Sequence, residues 1–389
     1  MKLSTLAQSI KPSPTLALSA KATAMRAQGL DVISLTAGEL DLEPPAVVGS
    51  AAREIIGKGK ILYTAASGIP ALRKAVAEKY GKRHSIELAE KNVVITSGAK
   101  QAVANALLAL INPGDEVIIP APYWVSYPDM ATLAYGKRVI IETIPENNFK
   151  ITIPQLKQAI TSKAKALIIN SPSNPTGAIY TKEEFEKILD VLKGTDVTIV
   201  SDEIYDMLVL DGKFTSFLDF GKSIFDRAVI INGVSKAYAM TGWRIGWAIG
   251  NEEIIGAMGR MQGHQTSNAC TVSQHAALAA LKEGDDFAAN LAPLMRKRRD
   301  SAMKLLNTVP GFRPIKPDGA FYIFCDVRGV LGRQFATSSA FAEFLLQKAL
   351  VATVPGEDFG APGFLRLSIA TSEELFAKAV QRIIDVLKQ

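Results

Sequence analysis

The stretch "NVVITSGAKQAVANALLALINPGDEVIIPAP", residues 92–122, determines the fold that this chain can adopt. Two short apolar runs lie on either side of a helical pattern, and several apolar residues within each run are consecutive. Strands with that pattern are buried on both faces, as they are in parallel sheets covered by helices. The stretch therefore predicts a strand, a helix and a second strand of an α/β fold.

The same alternation continues toward the C-terminus as far as Gly250. Helical patterns separate further apolar runs of strand length, which occupy residues 138–144, 166–172, 197–203, 228–235 and 245–250. Together with the first two runs, they predict a large domain built on a mostly parallel, seven-stranded sheet covered by helices. Ligands of such sheets bind at the carboxyl ends of the strands.

The two ends of the chain have a different pattern. After about residue 285 we predict a long helix, two short strands and a terminal helix, and we expect the first forty residues to pack with them. A smaller α+β domain would then lie beside the large one. The predicted regions are an N-terminal arm with part of the small domain (1–40), the large ligand-binding domain (41–285) and the small C-terminal domain (286–389).

The composition is that of an ordinary soluble globular protein of 389 residues, with 48% hydrophobic and 21% charged residues. No apolar run is long enough to span a bilayer, so we expect no membrane partner. The net charge of +6 is spread along the chain. Its densest run, "RKRR" at 296–299, is interpreted as a solvated helix face rather than a nucleic-acid patch.

Polar residues follow four of the predicted strands, and two of these places are loops. "TSGAKQA" (96–102) runs from a strand into a helix, where exposed amides and small residues either hold an anion or form a plain turn. "NSPSNPTGAIY" (170–180) presents Asn174 from a loop stiffened by prolines. The asparagine either orients a ligand oxygen or belongs to a surface turn.

The other two places carry charged side chains. In "SDEIYDM" (201–207), Asp202 follows a buried run and needs a cationic or donor partner, unless it caps a helix. "NGVSKAYAMTGWRIGWAIG" (232–250) places Lys236 and Arg244 in an apolar segment. These are either two snorkelling bases at a strand edge or an amine beside an anion site that includes Ser235. A lysine kept partly neutral is a nucleophile toward carbonyl groups.

An anion cradle, a buried aspartate, an oriented asparagine and a nucleophilic lysine together describe a pyridoxal phosphate site. The chain resembles the class I, fold type I pyridoxal phosphate-dependent aminotransferases over its whole length. It is most similar to bacterial aspartate aminotransferases with an N-terminal Lys-Pro-Ser motif. The resemblance is carried by "KPSPTLALSAKA", "LTAGELDL", "YTAASGIPALRKAVAEKY", "APYWVSYPDM", "NSPSNPTGAIY", "SDEIYDML", "SKAYAMTGWRIGW" and "FLRLSIATSEE".

The resemblance implies a role for each cofactor residue. Lys236 would form the Schiff base with pyridoxal phosphate and move the proton in catalysis, and Asp202 would pair with the pyridine N–H. Tyr205 and Asn174 would hydrogen-bond the phenolic oxygen, and Trp124 would stack on the ring. The phosphate would be held by Ser97, Gly98, Ala99, Ser235 and Arg244, with Tyr63 arriving from the neighbouring subunit of a homodimer.

The resemblance also implies how the substrate is held. Arg366 would clamp its α-carboxylate bidentately, with the backbone of Gly38 alongside and with Trp124 and Asn174 in contact. Lys100 would bind a distal carboxylate, unless it is only a solvated base in the first turn of a helix. The N-terminal motif would add two hydrogen-bond donors, Ser13 and Thr15.

Two features bear on the substrate side chain. If Lys100 is buried without a partner carboxylate, the mismatch costs ~3–5 kcal/mol, which is roughly a hundredfold discrimination against neutral amino acids. Relatives usually have Gly-Glu-Pro-Asp-Phe where this chain has "GELDL", so Leu40 and Leu42 replace a proline and an aromatic residue. Losing the proline loosens a loop expected to close over the substrate.

We therefore expect a homodimeric aminotransferase that moves the amino group of L-aspartate to 2-oxoglutarate by a ping-pong mechanism. The two distant cysteines, Cys270 and Cys325, suit the cytoplasm, and the three histidines show no metal-ligand spacing. Alternatives are a different or broader specificity (aromatic amino acids, alanine or prephenate) and a C–S lyase on the same fold. A DNA-binding regulator is disfavoured, because only about ten residues precede "KPSPT".

Overall fold

A computed structural model describes residues 1–10, 14–332 and 334–388, and only the backbone of residues 14–17. None of the helices in these ranges is both long and apolar enough to cross a membrane. The helices are α1 (Thr5–Ser9), α2 (Pro14–Ala27), α3 (Ala46–Gly57), α4 (Pro70–His84), α5 (Ala99–Leu110), α6 (Tyr127–Leu133), α7 (Ile153–Ala159), α8 (Lys182–Leu192), α9 (Lys222–Phe225), α10 (Val234–Ala237), α11 (Glu252–Gln265), α12 (Thr271–Glu283), α13 (Asp285–Leu306), α14 (Ser338–Phe344) and α15 (Glu373–Leu387).

The strands form three sheets in the described part of the chain. They are β1 (Ile33–Ser34), β2 (Val93–Thr96), β3 (Glu116–Ala121), β4 (Lys137–Glu142), β5 (Ala164–Asn170), β6 (Thr198–Asp202), β7 (Ala228–Gly233), β8 (Gly246–Ile249), β9 (Arg313–Ile315), β10 (Tyr322–Asp326), β11 (Val351–Ala352), β12 (Val354–Pro355) and β13 (Phe364–Ser368).

The largest sheet has seven strands in the order β2-β8-β7-β6-β5-β3-β4. Strand β8 runs antiparallel to both of its neighbours, and the remaining pairs are parallel. Each strand lies within one of the seven apolar runs of the sequence or within two residues of it. The prediction of a mostly parallel, seven-stranded α/β sheet is therefore confirmed.

Consecutive residues of β7 explain why the apolar runs do not alternate. Ile230 packs into the hydrophobic core on one face of the sheet, whereas Val229 and Ile231 pack into the core on the other face. All three are almost completely buried. Helices cover both faces, so consecutive positions in the middle of a central strand are apolar.

The helices that cover the sheet have the sequence pattern expected of such helices. In α8 the buried residues are Phe185, Ile188, Leu189 and Leu192, spaced three or four apart along one face. The helix begins at a capping box, because the hydroxyl of Thr181 accepts the N–H of Glu184 and the Glu184 carboxylate accepts the N–H of Thr181. Local sequence and tertiary packing thus agree on where this helix lies.

The N-terminal segment packs with the C-terminal region. Strand β1 pairs with β11 in parallel, and a four-stranded antiparallel sheet has the order β12-β13-β10-β9. A second core contains Ile33 and Leu35 together with residues of α13, β10, β13 and α15. A discontinuous small domain requires this packing, and the boundaries 1–40, 41–285 and 286–389 stay predictions.

The "RKRR" run does not form a solvated helix face, so that interpretation is wrong for its second half. Arg298 makes two hydrogen bonds to the carboxylate of Asp41, and its side chain is only 11% exposed. Arg299 is buried and donates to Asp211 and to the carbonyl of Pro317. The run attaches α13 to two loops, because acids distant in sequence lie against it.

Candidate active site

The predicted polar residues converge on one cavity of about 470 Å³ at the carboxyl ends of the central strands. The residues singled out in the sequence that line it are Gly38, Ala99, Lys100, Trp124, Asn174, Asp202, Tyr205, Ser235, Lys236, Arg244 and Arg366. The lining contains four bases and, with Glu39 and Asp202, two acids. The surplus of two positive charges favours anionic ligands in this cavity.

Lys236 lies in α10, directly after β7 ends, and its side chain lines this cavity. Its Nζ donates to the carbonyl oxygen of Gly38 at 2.6 Å and lies 6.0 Å from the centre of the Tyr205 ring. Burial lowers the pKa of Lys236 to about 8, although the charge of Glu39 acts in the opposite direction. A substantial fraction of the amine is therefore neutral near physiological pH, which nucleophilic attack requires.

Asp202 ends β6 and is buried at the base of the cavity. Its Oδ2 accepts a hydrogen bond of 2.6 Å from the hydroxyl of Tyr127, and its Oδ1 accepts the N–H of Ile204. Burial raises the pKa of Asp202 to about 6, and the bond from Tyr127 limits the rise. The aspartate is mostly ionised at neutral pH, ready to pair with a cationic group of a ligand.

The loop after β5 is tied to the same strand ends. The side chain of Asn170 donates to the carbonyl of Asp202 at 2.9 Å and accepts the N–H of Asn174 at 2.7 Å. The Oδ1 of Asn174 accepts from Arg366 at 2.9 Å. Because an arginine can only donate, this bond leaves the Nδ2 of Asn174 as a donor for a ligand oxygen.

The start of α5 and Arg244 form one end of the cavity, and the donors gathered there favour an anion. Gly98 precedes the helix with φ of +83°, and a Cβ there would lie 2.4 Å from Nη2 of Arg244. The glycine therefore lets the guanidinium approach the helix start. The N–H groups of Ser97 and Gly98 are taken by Gln101 and Thr96, which leaves those of Ala99 and Lys100 without an acceptor among the described residues.

Arg366, on β13, is only 4% exposed and forms the opposite end. Besides its bond to Asn174, it donates to the carbonyl of Thr36 at 2.8 Å. The guanidinium carbon lies 4.3 Å from the centre of the Tyr322 ring. No acid among the described residues lies within ion-pair distance of Arg366. The arginine is thus a buried, unpaired cation, which a carboxylate ligand would neutralise.

Lys100 and Trp124 lie together at the mouth of the cavity. The Nζ of Lys100 is 4.8 Å from the centre of the Trp124 ring, and that ring packs edge-on against Tyr127. Partial burial and, next, the charge of Arg244 lower the pKa of Lys100. The residue as a whole is nevertheless exposed to solvent rather than buried. The roughly hundredfold discrimination against neutral amino acids was expected only for a buried Lys100, so it does not apply.

Tyr63 is not brought to the cavity within one chain, and the structure does not describe two other predicted side chains. Tyr63 is 89% exposed, and its neighbours Ile61 and Leu62 are exposed as well. Ser13 lies outside the described residues, as does the side chain of Thr15.

The sequence model of the family described as "Aminotransferase class I and II" matches residues 30–383. The chain belongs to this family. The resemblance recognised in the sequence, the fold type I architecture and the assignment as an aminotransferase are confirmed by this match and by the relatives below.

Three relatives match this aminotransferase over nearly its whole length. It is 44% identical to the aspartate aminotransferase of Bacillus sp. (strain YM-2), with 98% of each chain covered. It is 43% identical to the aspartate/prephenate aminotransferase of Nitrosomonas europaea, with 100% of each covered. The structure of Thermus thermophilus aspartate aminotransferase with maleate superposes with a TM-score of 0.94 at 41% identity, covering 99% of this chain and 100% of that one.

Several residues that line or support the cavity of this aminotransferase were not predicted from its sequence. Tyr127 donates to Asp202, the carbonyl of Thr36 accepts from Arg366, and Tyr322 contacts both Tyr205 and Arg366. Tyr127 lay inside the quoted stretch "APYWVSYPDM", and Tyr322 lay in the region where two short strands were predicted after residue 285, but each looks like an ordinary core aromatic there. The available signal was that a buried aspartate needs a donor.

Proposed function

We propose that this aminotransferase uses pyridoxal phosphate to move the amino group of L-aspartate to 2-oxoglutarate, giving oxaloacetate and L-glutamate by a ping-pong mechanism. The observation that carries the proposal is one cavity that combines an amine of lowered pKa, a buried acid and two further unpaired cations at opposite ends. An amine for a carbonyl group, an acid for a ring nitrogen and separate sites for a phosphate and a carboxylate are the requirements of this chemistry.

The residues present fit pyridoxal phosphate. The missing Cβ of Gly98 admits Arg244 next to free amides at the start of α5, which together suit a dianionic phosphate. The buried carboxylate of Asp202 has no cationic partner within ion-pair distance among the described residues, although a charge in such surroundings needs one. The protonated nitrogen of a pyridine ring would supply that partner.

Each residue of the chain has a distinct task in the proposed reaction. Bound in the cavity, the cofactor would supply an aldehyde for the amino group and a ring that accepts the electron pair left at the α-carbon. Asp202 would hold the proton on the ring nitrogen, and Trp124 would lie against the ring face. Lys236 would remove the proton from the α-carbon of the substrate, because its pKa of about 8 allows it to accept and return a proton near neutral pH.

The charges of the cavity support a dicarboxylic substrate. Arg366 would bind the α-carboxylate in bidentate fashion, and Lys100 at the mouth would attract a second carboxylate. All three relatives are named for aspartate, and one of them for prephenate as well. Because prephenate also has two carboxylates, a shared activity on prephenate is the alternative that this cavity accommodates.

We further propose that the protein is a cytoplasmic homodimer. The exposed cluster Ile61, Leu62 and Tyr63 supports a covered surface in the assembly, and Cys270 and Cys325 form no disulfide. The dimer would bring Tyr63 to the phosphate of the partner subunit. In hybrid dimers of Tyr63→Phe and Lys236→Ala chains, one site then regains both side chains, so these sites should bind the cofactor more tightly than the sites of the Tyr63→Phe homodimer.

The experiment that tests the function is a half-reaction panel on the purified yellow holoenzyme. Aspartate, glutamate, phenylalanine, alanine and methionine are added singly, and the loss of visible absorbance is measured. We expect aspartate and glutamate to react fastest and the cofactor to be recovered in its amine form. No spectral response to any amino acid would refute the proposal, and steady release of ammonia with the aldehyde form retained would indicate a lyase.

A further inference from the structure

Tyr322 was not singled out in the sequence, and the structure places it against two site residues. It is 1% exposed, on β10. Its hydroxyl oxygen lies 3.1 Å from the hydroxyl oxygen of Tyr205, and its ring lies 4.3 Å from the guanidinium carbon of Arg366. One side chain therefore touches both the proposed partner of the phenolic oxygen and the proposed clamp for the carboxylate.

The sheet geometry fixes these contacts. Strands β10 and β13 are antiparallel, with Phe324 opposite Arg366 and Tyr322 opposite Ser368. Tyr322 and Phe324 are two residues apart, so their side chains lie on the same face, and Arg366 is the diagonal neighbour of Tyr322 across the strand pair. The stacking of the guanidinium on the ring is thus set by the register of two buried strands rather than by a mobile loop.

Packing alone does not account for the hydroxyl of Tyr322. A phenylalanine would fill the same space without burying a polar group, whose burial costs free energy unless it is hydrogen-bonded. The hydroxyl also lies against the segment before Glu39, because a Cβ added to Gly38 would be 3.1 Å from it. It therefore occupies the point where Tyr205 and Gly38 meet, beside the amine of Lys236.

We propose, on the basis of the function proposed above, that Tyr322 is a positioning residue that acts through Tyr205 and Arg366. Its hydroxyl donates to the oxygen of Tyr205, which orients the Tyr205 proton toward the cofactor and strengthens it as a donor. Its ring holds the guanidinium of Arg366 in the plane that a bidentate carboxylate needs. The two parts of the side chain have separable effects.

The hydroxyl is tested with Tyr322→Phe in the holoenzyme, which keeps the ring. We expect the midpoint of the pH titration of the visible absorbance to rise by roughly 0.5–1 unit, because the cofactor oxygen loses part of a hydrogen bond. In a Tyr205→Phe background, Tyr322→Phe should give no further shift. Tyr180→Phe is the matched control, since it removes a buried hydroxyl that accepts the N–H of Ile151 outside the cavity.

The ring is tested with Tyr322→Leu, using succinate, a dicarboxylate that cannot donate an amino group. Calorimetry should show the dissociation constant of succinate from the holoenzyme rising about 3- to 30-fold, the range of a lost cation–π contact. Tyr322→Phe should bind succinate within twofold of the wild type. If the leucine variant does not fold, Tyr322→Met fills the space with a flexible chain and serves in its place.

The outcomes separate this inference from the proposed function. The positioning role can be refuted in two ways when the wild type binds the cofactor and reacts with aspartate. One is that Tyr322→Phe keeps the wild-type titration midpoint. The other is that the ring variants, Tyr322→Leu and Tyr322→Met, bind succinate as tightly as the wild type does. Equal changes in both measurements for Tyr322→Phe and Tyr180→Phe would also refute it, because they indicate a loss of stability only. A wild type that shows no spectral response to any amino acid overturns the proposed function itself.

Discussion

Removing the hydroxyl of Tyr127 should raise the pKa of Asp202. The hydroxyl donates to Oδ2 of the aspartate at 2.6 Å and favours its ionised form, whose pKa burial has already raised to about 6. Hydrogen bonds to charged groups contribute about 1.5–3 kcal/mol, and one pKa unit corresponds to about 1.4 kcal/mol. Tyr127→Phe should therefore raise the pKa by about 1–2 units, to roughly 7–8, so that at least about half of the aspartate is protonated at neutral pH.

The assay is a carbon NMR titration of the cofactor-free protein labelled at the aspartate carboxyl carbons. The signal of Asp202 is identified by its absence in Asp202→Asn. Tyr180→Phe is the control, because it loses a buried hydroxyl that makes no contact with Asp202. In the holoenzyme, Tyr127→Phe should bind pyridoxal phosphate less tightly than the wild type does. A midpoint that stays within about 0.3 unit of the wild type, or moves down, would refute the reasoning.

Three further predictions concern single residues. Gly98→Ala should weaken pyridoxal phosphate binding by about tenfold or more, because the new Cβ would lie 2.4 Å from Arg244. Gly114→Ala is the control for backbone strain, because Gly114 also has a positive φ, of +95°, but has open space around it. Lys100→Ala should lower kcat/KM for aspartate about 3- to 10-fold and leave kcat/KM for alanine unchanged, a modest effect because an exposed cation binds a carboxylate only weakly. Equal losses on both substrates would show that Lys100 does not determine specificity. Asp202→Asn should raise the free energy of unfolding of the cofactor-free protein by about 3 kcal/mol at pH 8 and leave it unchanged at pH 3. The reason is that the raised pKa of Asp202 in the folded state makes the wild type lose stability as the pH rises from 3.8 to about 6. Denaturant unfolding at both pH values measures this, and a difference that does not depend on pH would contradict it.

The large sheet could be predicted because burial on both faces leaves a direct mark on the sequence. In β7 the positions 228–231 are all apolar and buried, the polar Asn232 comes only near the end of the strand, and Lys236 follows three residues after that end. The same reasoning finds Asp202 at the end of β6. Where an apolar run stops at a charged residue, the local sequence alone identifies a candidate site residue. The fold then brings those strand ends to one edge of the sheet.

The supporting residues could not be predicted in this way, because their roles depend on contacts between distant parts of the chain. Tyr127 is 75 positions from Asp202, and Tyr322 is 117 positions from Tyr205. An aromatic residue in an apolar segment has the same local pattern whether its hydroxyl meets a site residue or a backbone group. The exposure of Lys100 was equally hidden, since the first turn of a helix gives no indication of the depth of a cavity.

The arginine run and the departure from the family motif in "GELDL" are connected by one contact. Asp41, inside that segment, accepts two hydrogen bonds from Arg298, while Leu40 and Leu42 pack against the core that contains α13. The segment is therefore fixed by an ion pair and two apolar side chains in the absence of a proline. Because the carbonyl of Gly38 accepts from Lys236, this attachment also fixes an acceptor for the reactive amine. The sequence alone suggested that the "RKRR" run is surface charge. Through the contact of Arg298 with Asp41, the run instead holds the loop that contains Gly38.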